Sequence, residues 1–364
     1  MPRQLLAITP PLTRSKGPPL SACLSSLGWD EQYAAEFTPY ESAHTAARVT
    51  RVDRGAADVL GDAGYLRVEL TWQHSDITVG DWVAITDDDE LAAVLPRRTA
   101  IVRAAPSGES SAQTLVANID QILVVVPAVP RPRLGMVERL VALAWDSGAT
   151  PVVVVTKVDL APSPESVASE IAQAAPGCQV IIASAHTGEG MDEINRLDRP
   201  GRSICLLGRS GAGKSTLANA IVGSDRMAVA EVRRDGKGRH TTTHRELITL
   251  PGGGVLIDTP GLRGVGVWIA EDGVAQTFPE IEALVEDCRF NDCQHESEPG
   301  CAVQAAIAEG TLPQRRLDSW RKIAREAEWI ASRSDARLRR ERADRWRQIH
   351  LEARRNNRTR PQQR

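Results

Sequence analysis

The stretch 204–216, Ile-Cys-Leu-Leu-Gly-Arg-Ser-Gly-Ala-Gly-Lys-Ser-Thr, sets an apolar run against a glycine-rich loop closing on Lys214, Ser215 and Thr216. Helical text, 217–222, follows at once. Strand, glycine loop and helix in that order are what a phosphate-binding loop requires. The glycines let successive backbone N–H groups turn inward, the helix N-terminus adds its positive end, the ammonium reaches the β and γ phosphates, and a hydroxyl takes Mg²⁺. Gly208, Arg209, Ser210, Gly211, Ala212, Gly213, Lys214, Ser215 and Thr216 are therefore the expected phosphate and metal contacts. The chain holds 39 Arg and only five Lys, at 16, 157, 214, 237 and 322. A lysine kept in the loop is thus informative, since a compact ammonium fits where a guanidinium fork does not.

Fifty residues after the loop opens, the apolar run 255–257 ends in Asp258-Thr-Pro-Gly261. There the carboxylate is placed to hold Mg²⁺ through water and the Gly261 N–H to sense the γ phosphate. Between the two motifs lies the polar segment 238–244, Gly-Arg-His-Thr-Thr-Thr-His, which offers a switch threonine to the metal. The residues leave open which one acts, and Thr242 is carried as the candidate. Thr156-Lys157-Val158-Asp159 follows the apolar run 152–155. A carboxylate at Asp159 accepts both guanine N1–H and the exocyclic amine, which adenine cannot offer, while the Lys157 stem covers the base. Ser184-Ala185, after 180–183, suits a loop whose backbone N–H meets guanine O6. The expected ligands are GTP and GDP with Mg²⁺.

In ordinary GTPases the phosphate loop comes first and the base motifs last; here the base motifs at 156 and 184 precede the loop at 208. The expected nucleotide domain, 115–264, is therefore circularly permuted. Its runs ILVVVP, PVVVVT, QVIIASA, SICLLG and GVLIDTP are apolar on both faces and alternate with helical text, which predicts a buried parallel sheet in a three-layer α/β domain. Upstream, 47–106 alternates in short pieces (ARVTRV, YLRVELTW, DWVAIT, LAAVLP, TAIVR) between turn residues, as a small five-stranded barrel does. Residues 1–46 are a Pro- and Ser-rich extension with an apolar patch at Leu27, Trp29, Tyr33 and Phe37.

Downstream, Cys288, Cys293, His295 and Cys301 crowd together, offering three thiolates and one imidazole, the tetrahedral set of a closed structural Zn²⁺ site. A helical zinc domain is expected over 265–330 and a basic helical tail over 331–364. The chain has 364 residues and a formal charge of −3, yet residues 315–364 carry 17 Arg and Lys against seven Asp and Glu. A polyanion is one partner such an arm suits, and a solvated helix with i,i+4 ion pairs explains much of it equally well. No apolar run approaches the roughly 18 residues that span a bilayer, so a cytoplasmic protein is expected.

The barrel, the permuted order of GRSGAGKST, GRHTTT and DTPG, and the downstream CRFNDCQHESEPGCAV together resemble the small ribosomal subunit biogenesis GTPase A family over roughly residues 47–325. The resemblance implies a multidomain α/β chain: an N-terminal OB-type β-barrel, a circularly permuted P-loop GTPase and a C-terminal α-helical zinc-binding domain. It further implies binding to the 30S subunit and its 16S rRNA late in maturation, and GTP hydrolysis stimulated by that subunit. A monomer is expected.

Three departures stand out. Thr156 occupies the place where the base motif usually has Asn, whose amide braces the phosphate loop. Leu262 stands where a Ras-like enzyme places Gln, and Trp268 is followed by Ile269 where similar proteins often carry His. The group that orients water is thus left open, with His240 and His244 as bare candidates. Leu262 and Ile269 also suit an alternative, an RNA-binding module gated by GTP with little hydrolysis.

Overall fold

The computed structural model describes residues 24–74, 76–103, 113–197, 200–223, 245–258 and 271–334. Thr241, Thr242, Thr243, His240, His244, Gly261, Leu262, Trp268 and Ile269 lie outside the described residues, as do 1–23 and 335–364.

Chain order begins with α1 (Glu31–Phe37), capped by the Asp30 carboxylate, which accepts from the N–H groups of Gln32 and Tyr33. Five antiparallel strands follow: β1 (His44–Asp53), β2 (Ala56–Gly61), β3 (Gly64–Glu69), β4 (Trp82–Thr86) and β5 (Leu91–Val94). Their order is β3-β2-β1-β4-β5. The ten-residue β1 serves both arms: His44–Arg48 pairs with β4, and Ala47–Asp53 pairs with β2 through a register shift between Val49 and Arg51. Val49, Val59, Val68, Val83, Ile85 and Leu91 fill the interior of this small barrel. Two details differ from the sequence reading. Ala56–Gly61 is a strand although its alternation is blurred by Ala, Asp and Gly. The run TAIVR, as β6 (Ala100–Arg103), pairs with β7 (Gln113–Ala117) in a separate two-stranded sheet.

The nucleotide-domain elements are β8 (Gln121–Pro127), α2 (Leu134–Asp146), β9 (Thr150–Thr156), α3 (Pro164–Ala174), β10 (Gln179–Ile182), α4 (Met191–Asn195), β11 (Ser203–Leu207), α5 (Lys214–Val222), β12 (Glu246–Thr249) and β13 (Val255–Asp258). Spatial order is β10-β9-β8-β11-β13-β12, parallel throughout except for the antiparallel strand β12. Alternation along each strand feeds two cores. Ile122, Val124, Val153, Val155 and Cys205 face α2, while Leu123, Val125, Val154, Ile204 and Leu206 face α4 and α5. Being buried on both sides is why these runs are apolar without a polar phase.

Beyond the switch come α6 (Glu271–Thr277), α7 (Pro279–Glu286), α8 (Ala302–Ala308) and α9 (Gln314–Ser334). Val274, Phe278, Ile281, Val303, Leu317, Ile323 and Ala327 join the same core that α2 contributes to, so the helical module packs on the nucleotide domain. None of the described helices is long and apolar enough to cross a membrane.

The barrel is tied in at two places. Arg51 of β1 pairs with Glu246 of β12, continuing the sheet. Behind it Arg48, 1% exposed, donates to three main-chain carbonyls: Leu27, Gly80 at 3.3 Å and Asn118 at 2.7 Å. Burial lowers its pKa to about 10. Arg98 forks onto both Asp30 oxygens at 2.6 and 2.7 Å and lies over the Tyr33 ring at 3.4 Å, clamping the N-terminal segment.

The Arg98 hydrogen bond lowers the Asp30 carboxyl to about 2 from its ordinary 3.8. A depressed acid contributes stability above its unfolded value and loses it as pH falls through the folded one. The stability advantage of the natural chain over Asp30→Asn, read by urea unfolding, is therefore expected to be constant above about pH 5, to shrink as pH falls from 3.8 towards about 2, and to vanish below that. Asn also caps helices, so an advantage absent at pH 6 shows that the ion pair contributes nothing.

Candidate nucleotide and metal sites

Parallel pairing sends the C-terminal ends of β8, β9, β11 and β13 to one edge of the sheet, the place where open α/β sheets bind ligands. The 208–216 loop leaves β11 and enters α5 at Lys214. Gly208 runs so close to β8 that a Cβ there would lie 2.5 Å from the Val125 carbonyl oxygen, so no larger residue fits without moving the strand. Gly211 and Gly213 take positive φ angles of 79° and 96°, with Ala212 buried between them. Lys214 Nζ crosses the loop and donates to Gly208 O at 2.8 Å and Arg209 O at 2.9 Å, holding the ammonium over the turned backbone. Arg209 and Ser210 are exposed; Ser215 and Thr216 begin α5, where main-chain N–H groups lack helical acceptors.

The base-motif residues converge on the same edge. Thr156 ends β9 and its hydroxyl donates to Ala212 O at 2.6 Å, tying the base strand to the middle of the phosphate loop. A threonine thus supplies the brace expected of an asparagine amide. Lys157 bends the chain through a left-handed φ of 58°, and a single turn at Val158–Leu160 buries Val158 and presents Asp159 at the surface. The Ser184 hydroxyl, 1% exposed, donates to Asp159 Oδ1 at 2.6 Å and accepts from the Thr187 N–H at 3.2 Å. Ala185 beside it is half-buried. Asp258 closes β13 opposite Glu246 and next to β11. Thr156, Lys157, Asp159, Ser184, the 208–216 loop and Asp258 therefore share one edge, although 102 residues separate the first from the last.

Cys288 and Cys293 flank the loop after α7, His295 follows, and Cys301 caps α8, its sulfur accepting from the Gln304 N–H at 3.4 Å. All four ligand atoms lie within 4.8 Å of one another. Cys288 Sγ is 3.6 Å from His295 Nδ1 and 3.9 Å from Cys301 Sγ, and Cys301 Sγ is 3.5 Å from His295 Nδ1. Zinc–sulfur bonds of about 2.3 Å and zinc–nitrogen bonds of about 2.0–2.1 Å in a tetrahedron give edges of roughly 3.8 and 3.5 Å, so the cluster is compatible with zinc. Burial, and then the nearby Arg321 charge, lower the His295 pKa and favour the neutral imidazole that a metal needs.

Several supports were not legible in the sequence. Glu298 accepts from the N–H groups of Gln294, Glu296 and Ser297 at 2.8, 2.8 and 2.9 Å, folding the knuckle loop about its carboxylate, and those bonds lower it to about 2. The left-handed His295 has its carbonyl held by Gln304 and by Arg321, the latter at 2.7 Å. Trp320 sets its ring edgewise on the imidazole and donates to Glu282 at 2.9 Å. Acidic residues between the cysteines were the visible signal for Glu298; nothing in the sequence places Arg321 at the metal cluster.

The sheet order, the phosphate loop and the inverted motif order define a circularly permuted P-loop GTPase carrying a small N-terminal barrel and a helical Cys/His module. The RsgA GTPase family model matches residues 94–268. The chain is 52% identical over 327 residues to the small ribosomal subunit biogenesis GTPase RsgA of Streptomyces avermitilis, covering 86% of this chain and 88% of the relative. It belongs to the RsgA family of GTPases. A second relative of the same name, from Streptomyces coelicolor, is 50% identical over 88% of this chain and 91% of its own. Among solved structures, YjeQ of Thermotoga maritima superposes with a TM-score of 0.60 at 26% identity, over 78% of this chain and 98% of that one. YloQ, described as a circularly permuted GTPase, shares the fold with a TM-score of 0.57.

Two outcomes test these sites. Thr156→Val orphans the Ala212 carbonyl at a cost of about 1–2 kcal/mol, so GDP affinity from titration with a fluorescent analogue is expected to fall about 5- to 30-fold, with Thr156→Asn near the natural value; equal affinities of all three refute the brace. Elemental analysis is expected to find about one zinc per chain, lost in Cys288→Ser together with thermal stability. Metal retained by that variant excludes the four-residue site.

Proposed function

We propose that this GTPase acts in maturation of the small ribosomal subunit, binding the 30S subunit and its 16S rRNA and hydrolysing GTP to GDP and phosphate with stimulation by the subunit. The relatives of half-identical sequence carry the name small ribosomal subunit biogenesis GTPase, which supports the partner class. The observation that carries the chemistry is the bond from Thr156 to Ala212, which joins base motif and phosphate loop into one cradle.

In this reading Asp159, oriented by Ser184, takes the guanine N1–H and amine; Lys157 and Val158 wall the base, and the Ala185 N–H meets O6. Backbone N–H groups from Gly208 to Gly213, with Lys214 and Thr216, hold the phosphates and neutralise charge developing on the β–γ bridge. Ser215 and, through water, Asp258 would hold Mg²⁺, which would supply further charge neutralisation at the phosphates. Thr242 and Gly261, outside the described residues, complete the phosphate contacts as switch groups. Cys288, Cys293, His295 and Cys301 would hold Zn²⁺ with four protein ligands, and its part would then be structural.

The proposed organisation is an extension over 1–46, an OB-type barrel over 47–106, the permuted GTPase over 115–264, a zinc domain over 265–330 and a basic tail over 331–364, in a cytoplasmic monomer.

Phosphate release is measured for the purified chain alone and with equimolar 30S subunits at moderate salt, with Lys214→Ala as blank. Stimulation of about tenfold or more, abolished in Lys214→Ala, is expected. Equal slow rates with and without subunits, despite tight GTP binding, point instead to the GTP-gated RNA-binding module.

A further inference from the structure

The Cys/His knuckle is held from outside by side chains that are not among its four candidate ligands. His295 Nδ1 lies 3.6 Å from Cys288 Sγ and 3.5 Å from Cys301 Sγ, so Nδ1 is the ring nitrogen turned toward the cluster. Nδ1 is bonded to the ring carbon that carries Cβ, which gives it a short reach from the main chain. The backbone at residue 295 therefore sets where this nitrogen falls. That backbone is left-handed, with φ at 58°, a strained conformation that persists only where neighbours over-determine it. Two neighbours do so. Gln304 of α8 and Arg321 of α9 both donate to the His295 carbonyl, Arg321 at 2.7 Å, and the same Arg321 nitrogen donates to Gln294 O at 3.2 Å.

Arg321 is itself held in place by packing that the knuckle does not supply. Five and six residues earlier on α9, Arg316 and Arg315 donate to the buried Glu138 of α2 at 2.8 and 2.7 Å, which fixes the register of the helix. The half-buried Arg321 thus presents a guanidinium to two knuckle carbonyls. Its charge suits the place, since three thiolates and one divalent cation leave one negative charge over. We infer that Arg321, with Gln304, is a positioning residue of the metal site: by clamping the His295 carbonyl it holds the turn that aims Nδ1 between Cys288 and Cys301, and so sets how tightly the chain takes Zn²⁺. This rests on the zinc reading given above. Groups that orient metal ligands typically carry about 10- to 100-fold in affinity. Linkage requires the reverse as well: a metal bound more tightly when the clamp is made also tightens the clamp.

Zinc affinity of the full-length natural chain, Arg321→Gln and Gln304→Leu is measured by competition with a chromophoric chelator, together with the absorption of the Co²⁺-loaded proteins and melting temperatures with and without zinc. For Arg321→Gln the zinc dissociation constant is expected to rise about 10- to 100-fold, with altered d–d bands of tetrahedral Co²⁺ and a smaller zinc-induced rise in melting temperature. Arg321→Lys, which keeps the charge and a donor, is expected to recover part of the affinity. Zinc affinity and Co²⁺ bands equal to those of the natural chain, with the melting temperature lowered equally in the presence and absence of zinc, make Arg321 a packing residue and overturn the inference. Where Arg321→Gln does not fold, Gln304→Leu decides in the same terms: weaker zinc binding supports the clamp and equal affinity overturns it. A natural chain that takes no zinc overturns the zinc reading along with the inference, whereas a natural chain holding one zinc with an affinity matched by both variants sinks the clamp alone.

Discussion

Parallel pairing of β8 with β9 on one side and β11 on the other is the constraint on which the remaining structure depends. Parallel strands must all end on the same edge, so the loops after β8, β9, β11 and β13 meet there whatever their order in the chain. Circular permutation is tolerated for that reason: it relocates the termini and leaves every strand neighbour in place. The phosphate loop can then lean on the Val125 carbonyl and on Thr156, residues that precede it by more than 50 positions.

In the permuted order the strand that ends at Asp258 is the last described strand before the helical module that starts at Glu271. The module that follows is mounted through buried polar contacts as well as apolar ones. Glu138 receives two arginines and a serine, Arg139 pairs with Glu326, and the core around Phe278, Ile281 and Leu317 is shared with α2. Such contacts are specific in register, whereas apolar surface alone permits sliding. The barrel at the other end is attached in the same manner, with Arg48 drawing three main-chain carbonyls from separate segments to one guanidinium.

The arginine-rich C-terminal stretch divides on inspection. Arg315 and Arg316 turn toward Glu138, Arg321 toward the His295 carbonyl, and Trp320 toward the metal cluster, so the first turns of α9 are structural. Charge count treats all of these as one basic arm because it carries no direction. Further along the same helix Ala327 is 3% exposed and Trp329 is 46% exposed.

The sequence by itself determined the α/β class, the permuted order and the positions of the phosphate loop, base motif and Cys/His cluster. Each rests on local chemistry: two-faced apolar runs, glycines beside a lysine, and thiols at short spacing. The tertiary structure alone decided that a threonine braces the loop, that Ser184 holds Asp159, that TAIVR leaves the barrel to pair with β7, and that α9 arginines serve α2 and the metal knuckle. Those are contacts between residues tens to nearly two hundred positions apart, fixed by which strand ends and helix faces the fold brings together; local periodicity holds no trace of them.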